Sequence, residues 1–208
     1  MSDIILTIAI PSIPSRIRMN LEPLFSRLMT QIGSRKDVEV ISLLDNRSMS
    51  IASKRKKLLD ISRGKFCTFL DDDDDFAPSY IDDVTSAIVA NSNVDVICYN
   101  QQAFIENVEY LVTTDIDAPI NPFDQLPTTP RDKSGNFIPC RRPPWIWCAW
   151  NVNLLRSIDF GDSSFGEDAN FIASVMPKVK TQFTIPKPLH IYRWSSTTTS
   201  VTAPWSNH

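Results

Sequence analysis

Five consecutive aspartates, Asp71 to Asp75, are the residues whose type and spacing point most directly to chemistry. They follow the apolar run from Phe66 to Leu70, which is typical of a β-strand. In a parallel α/β sheet, ligands bind beyond the carboxyl ends of the strands. Carboxylates at positions i and i+2 can bind one hard cation together, and a cation offsets the repulsion among adjacent carboxyl groups. The run therefore predicts a divalent-cation site, and an acidic surface loop is the alternative.

The elements that must position these aspartates alternate between strand and helix over the first hundred residues. Asn20, Ser50 and Ser79 stand where helices would begin. The predicted elements are, in chain order, strand 4–10, helix 21–32, strand 38–44, helix 51–61, strand 66–70, helix 80–89 and strand 94–99. This alternation indicates an α/β fold with a mainly parallel, twisted sheet and helices on both faces.

The second half of the chain has a different composition. Seven of the fifteen prolines lie between Pro119 and Pro144, and so long an irregular segment is usually functional. Trp145, Trp147 and Trp150 follow it. Each alone is typical of a core residue, but together they can form a platform for sugar rings. The remaining predicted elements are helix 167–175 and strands 182–185 and 189–193, before a Ser/Thr-rich tract, 195–202, that is predicted to be a mobile flap.

Composition and charge exclude several classes of protein. A chain of 208 residues with 42% hydrophobic residues favours one folded domain over disorder. With 21 basic and 24 acidic residues, it lacks the basic excess of a nucleic-acid-binding protein. The longest apolar run, 4–10, is too short to span a bilayer, and no signal-peptide layout is present. The four cysteines form no CxxC pair, so we expect reduced thiols in a cytoplasmic protein.

Other phosphate and metal motifs do not fit the sequence. Its five glycines form neither GxGxxG nor a P-loop. An EF-hand would require glycine where Phe76 stands and glutamate where Asp82 stands. The aspartate run is therefore not part of a Rossmann, P-loop or EF-hand site.

The order of several short motifs resembles that of a known enzyme family. These are Asp45-Asn46-Arg47-Ser48 after the second predicted strand, Arg55 in the next helix, Arg63-Gly64-Lys65-Phe66, and Phe69-Leu70 before the aspartates. The order resembles the nucleotide-sugar-binding half of a GT-A glycosyltransferase of the family-2-like type with a DxD motif. The length of the aspartate run also resembles glycosyltransferase domains of chlorovirus capsid-glycan enzymes.

The likeness is good over about residues 4–75 and holds in outline over 160–202, where Glu167-Asp168 resembles the family's later acid pair. The segment from His190 to Trp194 resembles its closing metal-ligand and phosphate-binding segment. Residues 100–158 have no counterpart in the likeness. It implies one GT-A-type domain, 1–208, with a nucleotide-sugar-binding half at 1–100 and an acceptor-binding, metal-completing half at 101–208. The ending at Trp205-Ser206-Asn207-His208 has no stop signature, from which we expect a domain of a longer chain.

The resemblance implies a role for each site residue. Pro11, Ser12 and Arg16 would line the nucleotide. Asp45 would contact the uracil ring, and Arg55 would support the base or the aspartates. Asp71 and Asp72 would face the ribose and the sugar. Asp73 would bind the metal, with Asp72 and Asp74 as the alternative pair.

His190 and Arg193 would complete the metal and diphosphate site. An all-oxygen site suits Mn²⁺ or Mg²⁺, and one imidazole ligand favours Mn²⁺. His190 ends a predicted strand and would bind the metal, although a single histidine is often structural. Arg193, three residues later, would donate charge-assisted hydrogen bonds to the diphosphate.

Glu167-Asp168 would act on the acceptor. The pair begins a predicted helix, whose N-terminal N–H groups keep a carboxylate ionised. An ordinary helix cap, the alternative, needs only one acid. Asp168 would deprotonate the acceptor hydroxyl in an inverting reaction or orient it in a retaining one, and both remain open.

The sequence thus predicts a metal-dependent glycosyltransferase that moves a sugar from a UDP-sugar to a saccharide acceptor of a glycan. The viral likeness suggests glucose or a deoxyhexose such as rhamnose, and a host cytoplasm as location. Two alternatives remain. One is a sugar nucleotidyltransferase or phosphohydrolase, and the other is a non-catalytic, metal-dependent carbohydrate-binding module with the tryptophans as its platform.

Overall fold

The computed structural model describes residues 3–119 and 126–195. Its elements are, in chain order, β1 (Leu6–Ser12), α1 (Glu22–Ile32), β2 (Val38–Leu44), α2 (Ile51–Ile61), β3 (Phe66–Phe69), β4 (Asp75–Phe76), α3 (Tyr80–Ala90), β5 (Val96–Ile105), β6 (Val108–Thr114), β7 (Cys140–Arg142), β8 (Ala149–Asn151), α4 (Val152–Leu155), α5 (Glu167–Val175) and β9 (Gln182–Trp194). A 3₁₀ turn at Pro14–Arg16 and a π-helical turn at Ile17–Leu21 join β1 to α1. Of the predicted Ser/Thr-rich flap, only Ser195 lies within the described residues.

The predicted α/β fold with a mainly parallel sheet is confirmed, and shorter antiparallel pairings complete the sheet. Its strand order is β2-β1-β3-β8-β5-β6-β7, and β9 pairs with β5 and β4. The strands β2, β1 and β3 are parallel, as the alternating pattern predicted. The short strand β8 then inserts antiparallel between β3 and β5. It joins the two halves of the chain into one sheet.

Strand β5 is where the sheet divides. Along one edge it pairs with β9 over its whole length. Along the other edge it pairs with β8 at its start and with β6 at its end. Gln101, Ala103 and Ile105, in the part of β5 that pairs with β6, line a cavity described below. This arrangement depends on pairings between residues far apart in sequence, so the local pattern did not predict it.

Two strand predictions are wrong in the second half. Strand β5 continues to Ile105 and turns back into β6 through Glu106 and Asn107, both with positive φ, which suits a tight hairpin. The predicted strands at 182–185 and 189–193 form the single strand β9. Its two prolines lie where the register with β5 shifts, and a bulge is a position that tolerates proline.

The helix boundaries follow the caps that the sequence offers. Ser50 Oγ accepts a hydrogen bond from the Ser53 N–H over 3.0 Å and begins α2. Gly33, with φ of 54°, ends α1. Ser79 precedes α3 as predicted, but its hydroxyl donates to Asp83 Oδ2 and does not cap the helix.

The core beneath α5 is aromatic. Trp150 packs edge-on against Phe171 with ring centroids 5.4 Å apart, and Phe160 contacts both Phe171 and Phe69. Such pairs each contribute about 0.5–1.5 kcal/mol beyond the area that they bury. The cluster fixes α5 against the ends of β3 and β8, and thereby fixes the two acids that begin α5.

Two further expectations concern the thiols and the membrane. All four cysteines are free and buried, and Cys67 and Cys98 lie in β3 and β5, as predicted. Within the described ranges, no helix combines the length and the hydropathy that a bilayer crossing requires.

Candidate functional site

Two cavities lie beyond the strand ends and meet at Asp71. The first cavity, of about 270 Å³, is lined by residues that follow β1, β2 and β3. The second cavity, of about 360 Å³, is lined by residues of β5, β6 and β9 and of the segment 145–147. Asp71 contributes to both walls. The sites of a two-part ligand would therefore lie side by side, with the aspartate run between them.

One wall of the first cavity brings together Pro11, Ser12, Arg16 and Asp72. The Ser12 hydroxyl donates to Asp72 Oδ2 over 2.5 Å, and Arg16 Nη1 lies 2.8 Å from Asp72 Oδ1. Burial raises the pKa of Asp72 to about 6, against the opposing effects of the Ser12 hydrogen bond and Arg16. Four residues predicted to line a nucleotide thus share one wall.

Asp45 lies beneath this cavity and organises its rim. It forms a buried ion pair with Lys54, and Ser48 Oγ and the Met49 N–H donate to its other oxygen over 3.0 and 2.8 Å. The hydrogen-bonded Lys54 ammonium holds the pKa of Asp45 below its usual range. Lys54 also donates to the Ser12 carbonyl over 2.9 Å. Both carboxylate oxygens are engaged within the protein, and the contact with a uracil ring stays a prediction.

Arg55 is a buried cation surrounded by three carboxylates. Its Nη2 lies 2.9 Å from Asp71 Oδ1, and its Nη1 lies 2.6 Å from Asp168 Oδ1 and 3.2 Å from Glu167 Oε1. The guanidinium is 1% exposed. Its planar fork links the end of β3 to the start of α5. Arg55 is thus placed to support the aspartates, as the resemblance implied.

The acids of α5 differ in their surroundings. Burial, then the neighbouring Asp168, raises the pKa of Glu167 to about 7. Asp168 is more exposed and lines the second cavity, and the Trp145 indole N–H donates to its Oδ2 over 3.3 Å. Gly166, with φ of 70°, sets the direction in which α5 begins. Glu167 is therefore a buried partner of Arg55, and Asp168 faces the second cavity.

The five aspartates do not share one partner. Asp71 pairs with Arg55, Asp72 and Asp73 with Arg16, Asp74 with His190, and Asp75 with Arg27. A cation was predicted to offset the repulsion among the five carboxylates. In the structure, arginine and histidine side chains offset much of it. Asp73, predicted as the metal ligand, is half exposed and turns toward Arg16. Asp74, the alternative, is the aspartate that meets His190.

His190 is held rigidly against Asp74. Its ring stacks on the indole of Trp147 with centroids 4.9 Å apart and planes 7° apart. Gln101 Nε2 lies 2.9 Å from His190 Nδ1. On the other side, His190 Nε2 lies 2.9 Å from Asp74 Oδ2. Three neighbours thus fix the ring and aim Nε2 at the carboxylate.

The Asp74–His190 pair fits a divalent metal ion. Buried Nε2 has no hydrogen-bond partner among the described residues, although Asp74 is close. Two adjacent ligands of an octahedral ion are separated by about 3 Å, which is the spacing seen here. Residues 3–119 and 126–195 contain no group of three candidate ligands. A metal held by these two side chains would take its other ligands from phosphates and water, as Mg²⁺-type ions commonly do.

Arg193 lies away from this pair, which corrects a prediction. Since β9 runs unbroken through His190, side chains three residues apart point to opposite faces of the sheet. His190 and Tyr192 line the second cavity, whereas the Arg193 guanidinium stacks over Phe104, 4.5 Å from the ring centroid. The predicted diphosphate contact did not take into account that side chains alternate between the two faces of a strand.

The three tryptophans separate into two roles. Trp145 and Trp147 line the second cavity. Trp150 is fully buried, packs against Phe171 and donates to the Trp145 carbonyl over 3.0 Å, so its predicted place in an acceptor platform is wrong. Alternation along β8 turns Trp150 into the core.

Sequence reasoning missed several residues of the site. Lys54 was not predicted to be a site residue, yet it is 4% exposed and lines the first cavity. Its spacing of three from Ile51 and four from Leu58 was the available signal, because these positions share one helix face. Gln101 and Tyr192 gave no signal, since their roles depend on the pairing of β5 with β9.

Comparisons with known proteins show the fold. No protein-family model and no curated protein matches the chain. Among solved structures, that of S. aureus TarS 1-349 matches with a TM-score of 0.60 at 15% identity, over 91% of this chain and 60% of that one. TarS 1-349 in complex with UDP-GlcNAc matches with a TM-score of 0.61 at 14% identity, over 95% and 62%.

A third structure, TarS 1-349 in complex with UDP, matches with a TM-score of 0.58 at 14% identity, over 93% of this chain and 61% of that one. This chain thus spans about three fifths of the length of TarS 1-349. The predicted GT-A-type α/β fold is confirmed by these likenesses, and the first and second cavities lie on that fold.

Proposed function

We propose that the protein is a metal-dependent glycosyltransferase that moves a sugar from a UDP-sugar to a saccharide acceptor. The observation that carries this is the meeting of the two cavities at Asp71, with the Asp74–His190 pair and Asp168 in the second. Binding of UDP-GlcNAc and UDP by TarS 1-349, a protein of the same fold, supports UDP as the nucleotide.

The first cavity takes the nucleoside in this proposal. Its wall offers the Asp72 carboxylate, the Arg16 guanidinium and the half-buried loop at Met49. A buried carboxylate can accept hydrogen bonds from ribose hydroxyls, and the guanidinium can offset phosphate charge. Asp71 then lies between the nucleoside and the sugar.

Asp74 and His190 hold the metal ion. When bound, the ion supplies positive charge that stabilises the nucleoside diphosphate leaving group. The protein's part is to orient the imidazole, through the contact of Gln101 with Nδ1 and the stacked Trp147. Binding of the metal by Nε2 requires that Nδ1 donate its proton to the Gln101 amide oxygen. Manganese is the expected ion because one ligand is nitrogen.

Asp168 receives the proton of the acceptor hydroxyl. Arg55 holds Asp168 Oδ1, and the Trp145 N–H holds Oδ2, so the carboxylate has a fixed direction toward the second cavity. A general base of this kind typically contributes a factor of about 10² to 10⁴ in rate. Glu167 is buried beside Arg55 and serves as support.

Product analysis tests this proposal against the alternatives. We would incubate the protein and Mn²⁺ with UDP-glucose, UDP-rhamnose and UDP-GlcNAc, with and without saccharide acceptors, and separate the products. A glycosyltransferase releases UDP together with a lengthened saccharide. In a parallel incubation with added pyrophosphate, UTP and sugar 1-phosphate indicate a nucleotidyltransferase. UMP with sugar 1-phosphate indicates a phosphohydrolase, and sugar binding with no turnover indicates a binding module. Asp168→Asn should abolish transfer while UDP binding persists.

A further inference from the structure

The second cavity has two chemically different ends. The end at the aspartate run, called the inner end, carries Asp71, Asp74, Asp168 and His190, and Arg142 also lines the cavity. Its outer end is lined by side chains without polar atoms, namely Ala103, Ile105, Val112 and Leu126. The change from charged to apolar occurs within one cavity of about 360 Å³, so both ends are within reach of one ligand.

The sheet builds the apolar end. Along β5, Gln101, Ala103 and Ile105 point to the same face, since side chains alternate along a strand. Gln101 contacts His190, and the next two cavity-facing positions are apolar. Val112 lies opposite Gln101 on β6. Ala103 and Val112 are almost fully buried and fix the wall within the sheet, and the half-buried Ile105 and Leu126 present most of its surface to the cavity.

An apolar wall selects against an unsubstituted saccharide at this position. A sugar hydroxyl held against Ala103, Ile105 or Val112 would lose its water without gaining a hydrogen bond. An alkyl or acyl group in the same place gains free energy by leaving water. Trp145, beside Asp168, and Tyr192, beside Ala103, also line the cavity, and a sugar ring can stack on an aromatic ring of this kind.

We propose that the acceptor is a saccharide joined to an apolar group, an alkyl or acyl chain, which occupies the wall formed by Ala103, Ile105, Val112 and Leu126. The inference rests on the proposed function, since it assigns the inner end to the reacting sugar. The reacting hydroxyl lies at Asp168, and the apolar group lies at the far end of the same cavity.

Paired alkyl glycosides test this directly. We would measure by calorimetry the binding of hexyl and methyl β-glycosides of glucose, galactose and N-acetylglucosamine, with UDP and Mn²⁺ present and again without them. We expect the hexyl compound to bind at least about tenfold more tightly than its methyl partner for one or more of the sugars, because five additional carbons leave water. Equal affinity within all three pairs, or no hexyl glycoside binding, would overturn the proposal.

Variants at Ile105 locate the effect. Ile105→Asp should reduce the hexyl preference to less than about threefold. If this variant does not fold, the milder change Ile105→Thr is measured instead and should also reduce the preference. Ile61→Asp and Ile61→Thr are matched controls, because Ile61 is 63% exposed at the end of α2. A preference that survives both Ile105 changes would contradict the proposal.

UDP binding is measured separately in each sample. If the wild-type protein binds UDP but shows no hexyl preference, the acceptor inference fails and the glycosyltransferase proposal stands. If the hexyl preference is present and UDP does not bind, the apolar site stands and the proposed function fails.

Discussion

Arg55 holds three carboxylates of the proposed site in place. Arginine can offset the negative charges of Asp71, Glu167 and Asp168 together, because its guanidinium is planar and presents several hydrogen-bond donors. Burial of the guanidinium costs free energy, which the three carboxylates offset. The residue thus joins the donor side of the site to the residue proposed as base.

Replacing Arg55 by lysine should therefore be harmful although the charge is kept. A single ammonium cannot contact three carboxylates in the same geometry. We expect Arg55→Lys to lower the free energy of unfolding by at least about 1 kcal/mol, measured by urea denaturation. Lys56→Arg, at the exposed neighbour, should stay within about 0.5 kcal/mol of wild type. Equal stability of Arg55→Lys and wild type would contradict this role.

Glu167 should make stability depend on pH. Its pKa is raised from 4.5 to about 7 in the folded protein. Between these values the folded state binds more protons than the unfolded state, so stability falls as the pH rises. Relative to Glu167→Gln, the wild type should lose about 1 kcal/mol or more of unfolding free energy between pH 5 and 7.5. Glu22→Gln, at an exposed position, is the control. Identical slopes for wild type and Glu167→Gln would refute the assignment.

At the scale of elements, the start of α5 is the most sensitive feature. Gly166 has φ of 70° and ψ of 13°, the left-handed region, and an added Cβ would meet no atom within 4 Å. Alanine there costs about 1 kcal/mol through backbone conformation alone. Relief of that strain would turn the acids at 167 and 168.

Gly33 provides the matched test, since it also has positive φ with open space around it, but it ends α1. We expect Gly166→Ala and Gly33→Ala both to lower the melting temperature. Only Gly166→Ala should lower the rate of sugar transfer at 20 °C, where both remain folded. An equal loss of transfer in the two variants would show that the start of α5 has no special role.

The elements also show how far the sequence could predict this molecule. Ser50 and Gly33 are local caps, so the start of α2 and the end of α1 were predicted at the correct residues. Asn20, predicted to cap α1, lies instead in the π-helical turn before it, and α1 begins at Glu22. The resemblance implied that Asp72, Arg16 and Ser12 serve one nucleotide-sugar site, and the structure brings them into contact where β1 and β3 end. Arg193 was misplaced because the alternation of side chains along β9 was not taken into account, and Gln101 was missed because its role depends on the pairing of β5 with β9. The pairing of strands that are far apart in the chain cannot be read from the local sequence pattern.

At the scale of the whole molecule, the short strand β8 and the long strand β9 tie the second half of the chain to the first. The base proposed at Asp168 and the metal ligand proposed at His190 come from the second half, and the nucleoside wall comes from the first. The division into halves at residue 100, the cytoplasmic location and the chlorovirus likeness stay predictions.

The measurement that tests the central claim most directly is calorimetric titration of UDP into the protein, with and without Mn²⁺, with GDP as the control nucleotide. We predict UDP binding that requires Mn²⁺ and is weakened at least about tenfold by Asp74→Asn and by His190→Ala, since metal ligands and their neighbours usually carry effects of this size. Asp75→Asn, at the next aspartate, should bind UDP as wild type does. No UDP binding in the presence of Mn²⁺ would contradict the proposed function.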